Sequence, residues 1–121
     1  MELNLDEGDG IFIRSYQPGC IKTDAAIYSN SIIITAKQVI PWHPTILSDL
    51  TEKALLELLV FNPKVVLLGT GKTLAFPPIA LWRNLIEKNI GYEVMDTAAA
   101  CRTYNVLMAE NRAVVAGLLI N

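Results

Sequence analysis

Histidine and cysteine are scarce in this chain: His43 stands alone, and the two cysteines, Cys20 and Cys101, lie far apart. One histidine excludes a His-dependent triad or a two-histidine metal site within a single chain. Two distant cysteines without CxxC spacing signal neither a metal centre nor a redox pair, and each reads as a small buried hydrophobe. No cofactor or metal is expected. Long apolar runs are missing as well: Val65 to Leu68 and Ala113 to Ile120 fall well short of the ~18 to 20 residues that cross a bilayer. No membrane span is expected.

Positive charge is neither abundant nor gathered. Ten Lys and Arg against twelve Asp and Glu leave a net charge of −2, and the basic residues are scattered from Arg14 to Arg112, so no stripe exists to neutralise phosphates. Nucleic acid is therefore excluded as an expected partner. The acidic start, Met1 to Glu7, has neither the positive nor the apolar region of a secretory signal and is the wrong charge for a transit peptide. The expected location is cytoplasmic.

What the chain does have is apolar material. At 121 residues, 52% hydrophobic and 18% charged, it can bury one core and is too short for two ordinary domains with separate cores. The expectation is a single domain, 1–121, with residues 1–10 loosely ordered because four acids and two glycines there offer no apolar period.

Ile11 to Tyr16 reads as a strand, Pro18-Gly19 as a turn and Ala25 to Tyr28 as a second short strand. Ser31 to Ala36 is β-branched and almost continuously apolar, which suits a central strand covered on both faces. Gln38 to Pro44 carries two prolines and belongs at an edge. Asp49 and Glu52 stand at capping-box spacing before a helix carried by Leu55, Leu58 and Leu59, and Asn62-Pro63 stops it. Lys64 to Leu68 is a strand suited to parallel pairing. A second helix starts at Pro77-Pro78, displays Ile79, Trp82, Leu85 and Ile86, and ends before Gly91. Tyr92 to Met95 is another strand, Asp96 or Thr97 caps a third helix running to about Asn111, and Arg112 to Ile120 closes the sheet from inside.

Two motifs tempt and fail. Gly69-Thr70-Gly71-Lys72-Thr73 follows a strand like a phosphate-binding loop, but Val66 stands where the first glycine belongs and Leu74 to Pro78 intervenes before any helix. As a dinucleotide fingerprint the same turn has Leu74 in place of the third glycine. Two readings remain for it: a tight turn needing permissive backbone, or a weak anion cradle. Trp42 and Trp82 are better explained by burial than by ligand stacking.

On the third helix, Ala100, Cys101, Tyr104, Leu107 and Met108 share the face that should meet the sheet, while Ala98, Arg102, Asn105 and Ala109 form the opposite stripe. Catalysis would require Asp96 as acid or base and Cys101 as nucleophile, yet Cys101 falls on the buried face. The reading leans away from an enzyme. For Arg102, a surface ion pair with Asp96 or Glu110 and a ligand contact stay open together.

The run from Met95-Asp96-Thr97 through Thr103-Tyr104-Asn105-Val106-Leu107 to Leu119 resembles the signature of a widespread family of small uncharacterised proteins. One branch includes the adipogenesis-associated domain protein and another the mitochondrial respiratory complex I assembly factor. The resemblance continues through Ile33 to Trp42 and Val65 to Gly71, covering about residues 10 to 120. The chain looks like the minimal bacterial-type form, without the mitochondrial branch's targeting extension. The similarity implies an α/β fold: a single three-layer domain with a central mixed sheet, helices on its faces and an additional N-terminal β layer. It implies no reaction, and in the mitochondrial branch an assembly partner of complex I.

The expected function is thus a noncatalytic protein-binding or assembly-factor-like module, presenting a sheet edge or the face around Pro41-Trp42-His43-Pro44 to a protein partner. The alternative is a small anionic metabolite, or an unidentified reaction, at a cleft between Gly69, Thr70, Gly71 and Lys72 and the helix start at Asp96 and Thr97, with Arg102 and Asn105 alongside.

Overall fold

The computed structural model describes residues 10–121, so the loose start expected over residues 1–10 falls, Gly10 apart, outside the described residues. In chain order come β1 (Ile13–Gln17), β2 (Cys20–Thr23), β3 (Ile27–Tyr28), β4 (Ile32–Ile34), β5 (Val39–Pro41), α1 (Glu52–Leu59), β6 (Val65–Gly69), α2 (Arg83–Glu87), β7 (Gly91–Met95), α3 (Thr97–Ala109) and β8 (Val114–Leu118). Short 3-10 turns, Leu47–Asp49 and Ile79–Trp82, precede α1 and α2.

The strands form two sheets. One is an antiparallel meander, β1-β2-β3; the other is mixed, in the order β5-β4-β8-β6-β7. Within the mixed sheet β8 runs parallel to β6 and antiparallel to β4, and β6 runs parallel to β7. Every residue of β8 is buried, which is why Val114 to Leu118 lacks polar alternation.

Period-two alternation along these strands builds two cores, one on each face of the mixed sheet. Ile32, Ile34, Leu67, Ala116 and Leu118 meet Tyr104, Ala100 and Cys101 of α3 together with Ile13 and Ile21 of the meander. Ile33, Val66, Leu68 and Val115 meet Leu55 and Leu58 of α1, Trp42, Trp82 and Leu85. The result is the three-layer arrangement with its additional β layer. The crossover from β6 through α2 to β7 moves outward over one face, and the crossover from β7 through α3 to β8 returns over the other. Crossovers of one hand that move in opposite directions must lie on opposite faces.

Several local expectations need correction. The interior strand Ile32–Ile34 is second from the edge and β8 is the middle one; β4 is nevertheless buried throughout because core packs on both of its faces. Thr51, not Asp49, caps α1, its hydroxyl accepting from the Ala54 amide at 3.1 Å, while the Asp49 carboxylate accepts from the Thr45 and Ile46 amides. The second helix opens as a 3-10 turn and is shorter than the span expected from Pro77-Pro78 to just before Gly91. Its tighter turn alters the phase, so Trp82 and Leu85 are buried while Ile79 and Ile86 face outward. Trp82 stacks on Tyr92 with ring centroids 4.1 Å apart.

Candidate functional site

Two places answer the expectations, at different ends of the mixed sheet. The first is where β6 and β7, side by side, send their following segments to opposite faces. In parallel sheets this topological switch point is where ligands usually sit. Here the chain fills it with its own backbone. The Thr70 amide donates to the Met95 carbonyl and the Thr97 amide to the Gly71 carbonyl, both at 2.9 Å, and the Lys72 amide donates to the Asn121 carbonyl at 2.7 Å.

Thr97 is the centre of this junction. It is wholly buried; its hydroxyl accepts from the Gly71 amide at 2.7 Å and donates to the Leu119 carbonyl at 2.8 Å. One side chain thereby joins the turn, the helix start and the last strand. The glycines are required by this closeness: a Cβ on Gly69 would stand 2.8 Å from the Thr97 hydroxyl, and one on Gly71, whose φ is +99°, would meet the Asn121 carbonyl oxygen at 2.5 Å. Asp96 accepts from the Ala99 amide at 2.8 Å, a cap that also places negative charge at the start of α3.

The expected site residues therefore separate into two groups. Gly69, Thr70, Gly71, Asp96 and Thr97 do come together, but the amides of Thr70, Gly71 and Lys72 already have internal acceptors, and the Thr70 hydroxyl donates to the Thr73 carbonyl at 2.7 Å. Asn105 is committed elsewhere: its amide oxygen accepts from the Ile13 amide at 2.9 Å and its nitrogen donates to the Ile13 carbonyl at 2.8 Å, pinning β1 to α3. Lys72 and Arg102 stay exposed at the surface. Tyr16, which the sequence did not mark, comes to the same end and donates to the Asn121 carbonyl at 3.2 Å. Burial raises its pKa, reinforced by the nearby Cys101 and Asp96. The Cys101 thiol is pushed up to about 12 by burial, which Arg102 only partly offsets; at neutral pH it is not a thiolate nucleophile. Among the described residues, no three His, Cys, Asp or Glu side chains gather as a metal would need.

The second place lies at the opposite edge of the sheet. A cleft of about 570 Å³ opens beside β5, with Ile33, Ile40 and Pro41 on the strand side, His43 and Glu57 at its rim and Val60 at the end of α1. Trp42 lines it but is only 3% exposed: its ring lies against Gly117, where an added Cβ would come within 2.6 Å of it, and its indole N–H donates to the Ala54 carbonyl at 3.2 Å. The cleft is thus backed by a locked aromatic side chain. His43 Nε2 lies 3.4 Å from Glu57 Oε1 across the rim. A smaller hollow of about 280 Å³, lined in part by Ile27, Tyr28 and Val39, flanks the same strand.

The family described as "Protein of unknown function (DUF498/DUF598)" matches residues 13–119, almost all of the described chain. The chain belongs to this family. Among its DUF498/DUF598 relatives, an uncharacterised protein of Rhodobacter capsulatus is 36% identical over 107 residues, covering 88% of this chain and 82% of that one. The "13 kDa major membrane protein" of Francisella tularensis is 28% identical, with 84% and 85% covered. NADH dehydrogenase [ubiquinone] 1 alpha subcomplex assembly factor 3 of Drosophila melanogaster is 29% identical over 96% of this chain, which spans 62% of that protein.

Solved structures agree with the fold. A Bordetella parapertussis protein superposes with a TM-score of 0.87 at 33% identity, covering 93% of this chain and 97% of that one. One titled an outer membrane protein, from Bartonella henselae, gives 0.80 at 33% identity, with 92% and 95% covered. No described helix of this DUF498/DUF598 chain is long and apolar enough to cross a membrane.

Within the stretch that carried the family resemblance, most of the distinctive residues are structural in this chain. Asp96 caps, Thr97 staples, Asn105 pins β1, and Tyr104 donates to the Ile11 carbonyl at 2.7 Å from a fully buried ring. The cleft residues Ile40, Glu57 and Val60 carried no signal of their own. Only the Pro41 to Pro44 segment pointed there.

Proposed function

We propose that this chain is a noncatalytic protein-binding module of the assembly-factor kind, working in the cytoplasm and receiving a protein partner in the cleft beside β5. The observation that carries the reading is the cleft itself: an apolar recess with a locked Trp42 behind it, a polar rim of His43 and Glu57, and an outward-facing Val60 that is 71% exposed. Rigid backing with a polar rim is the anatomy of a docking surface. Relatives named as assembly factors support the protein-partner class.

Strand addition to β5 is disfavoured. Thr35 and Trp42 donate across to Gln38 and Ser31, so alternation turns the backbone groups of Val39 and Pro41 outward. Pro41 has no amide hydrogen, and the edge offers little to a long incoming strand. The partner is therefore held by side chains in the recess.

Co-purification from the native cell tests this. The unmodified chain should retain a partner that Val60→Asp loses and Arg102→Ala keeps. Equal recovery with Val60→Asp, or no partner above background, would remove the proposal.

The second reading, a small anion at the switch point, is favoured by that location and by Lys72 and Arg102. It is weakened by the occupied amides and the Asp96 cap. A thermal shift with phosphate or a carboxylate that Arg102→Ala abolishes would promote it over the first.

A further inference from the structure

Leu74, Phe76 and Ile79 stand out from one short loop with 52%, 69% and 74% of their surface exposed, on a segment the cleft does not use. The loop is held rather than slack. Thr70 ties its beginning, accepting from the Ala75 amide at 3.3 Å, Pro77 is buried between the two most exposed side chains, and the Leu81 amide donates to the Pro78 carbonyl at 3.1 Å. Two consecutive prolines restrict the backbone further. Three large apolar groups are thus displayed in a conformation already formed, which lowers the ordering cost of burying them.

Along the loop's own stretch of chain the charge has one sign. No Asp or Glu occurs from Leu58 to Ile86, while Lys64, Lys72 and Arg83 do, in a chain that is acidic overall. Lys72 is exposed just before Leu74, and its amide is tied to Asn121. Arg83 is paired with Glu52 at 3.1 Å, which leaves Lys72 as the loop's own cation.

We propose that the Leu74–Ile79 loop is a membrane-surface wedge: Leu74, Phe76 and Ile79 enter the headgroup and upper acyl region of an anionic bilayer while Lys72 pairs with lipid phosphate. Two observations favour a lipid surface over a protein. Three projecting side chains fall far short of the roughly 800 Å² a stable protein interface takes from each partner, whereas a few apolar groups with an adjacent cation suffice for reversible attachment to a bilayer. Lys72, with no acid in its own stretch of chain, complements anionic headgroups, and the Glu52 carboxylate beyond that stretch is held by Arg83 and Asn84. The wedge is independent of the cleft beside β5, and either can stand if the other fails.

The test is sedimentation of the full chain with vesicles of phosphatidylcholine alone and with about one third phosphatidylglycerol. Binding to the anionic vesicles, weakened by salt, is expected. Phe76→Ser should lower the partition roughly tenfold, and Lys72→Gln roughly fivefold; both side chains are exposed, so the fold should persist. Phe76→Trp adds a probe whose emission should shift to the blue on anionic vesicles, Trp42 and Trp82 being buried already. No anionic binding, or binding that Phe76→Ser leaves unchanged, overturns the proposal. Self-association or capture of a protein partner that Phe76→Ser abolishes, in the absence of any vesicle binding, overturns it too.

Discussion

Replacing Thr97 by Val should cost more than any other near-isosteric change at the helix start. Val keeps the shape and removes one oxygen. That oxygen accepts from the Gly71 amide at 2.7 Å and donates to the Leu119 carbonyl at 2.8 Å in a site with no exposed surface. Two buried backbone groups lose their partner at once. Each unsatisfied group costs about 1–3 kcal/mol, so the loss should lie near 2–6 kcal/mol, a large share of the ~5–15 kcal/mol that holds a domain together. Thr97→Ser keeps the hydroxyl and should cost only about 1 kcal/mol for the missing methyl. Urea unfolding of both variants measures this directly; a 3 kcal/mol loss moves the midpoint by about 1.5 M at a slope near 2 kcal/mol per M. Native-state hydrogen exchange should show the Gly71 amide exchanging faster in the Val variant. If Val and Ser are equally stable, or Val costs under about 1 kcal/mol, Thr97 is not the staple described.

Three further outcomes follow from the same geometry. Asn105→Ala removes both side-chain bonds to Ile13 and should destabilise by about 2–4 kcal/mol, with β1 amides exchanging first. Gly71→Ala places a Cβ against the Asn121 carbonyl at a φ of +99° and should cost about 2 kcal/mol or more in the same unfolding assay. Cys101, at about 12 in the fold against an ordinary 9.0, contributes stability that is fully present below pH 9 and lost as pH rises toward 12. The advantage of the unmodified chain over Cys101→Ala should therefore shrink by about 1 kcal/mol between pH 9 and 10, and a constant difference would contradict it.

How far the sequence spoke depended on how much apolar pattern each segment carried. β4, β6 and β8 are long enough in buried residues to announce themselves, and the order of helices and strands after Thr51 yields the parallel half of the sheet. β2 was missed because only Ile21 is strongly apolar in Cys20–Thr23; its alternation, Ile21 and Thr23 inward, is visible only once β1 is known to pair with it. At the switch point the grouping of Gly69 to Gly71 with Asp96 and Thr97 was legible from strand-turn and cap signals. That the turn's amides would be used internally was not, because the acceptors Met95 and Asn121 come from elsewhere in the chain. The cleft assembles Asn30 and Ser31, Pro41 to His43, and Glu57 with Val60. Such a surface has no linear motif, and only the two prolines at the edge hinted at it.

The reading of the chain as a docking module rests on the cleft beside β5, and site-directed photo-crosslinking in the native cell tests it most directly. A crosslinking residue placed at His43 or Val60 should capture one discrete protein, and the same residue at Arg102 should not. Capture from position 102 but not from 43 or 60, or no discrete product from either cleft position, would contradict it.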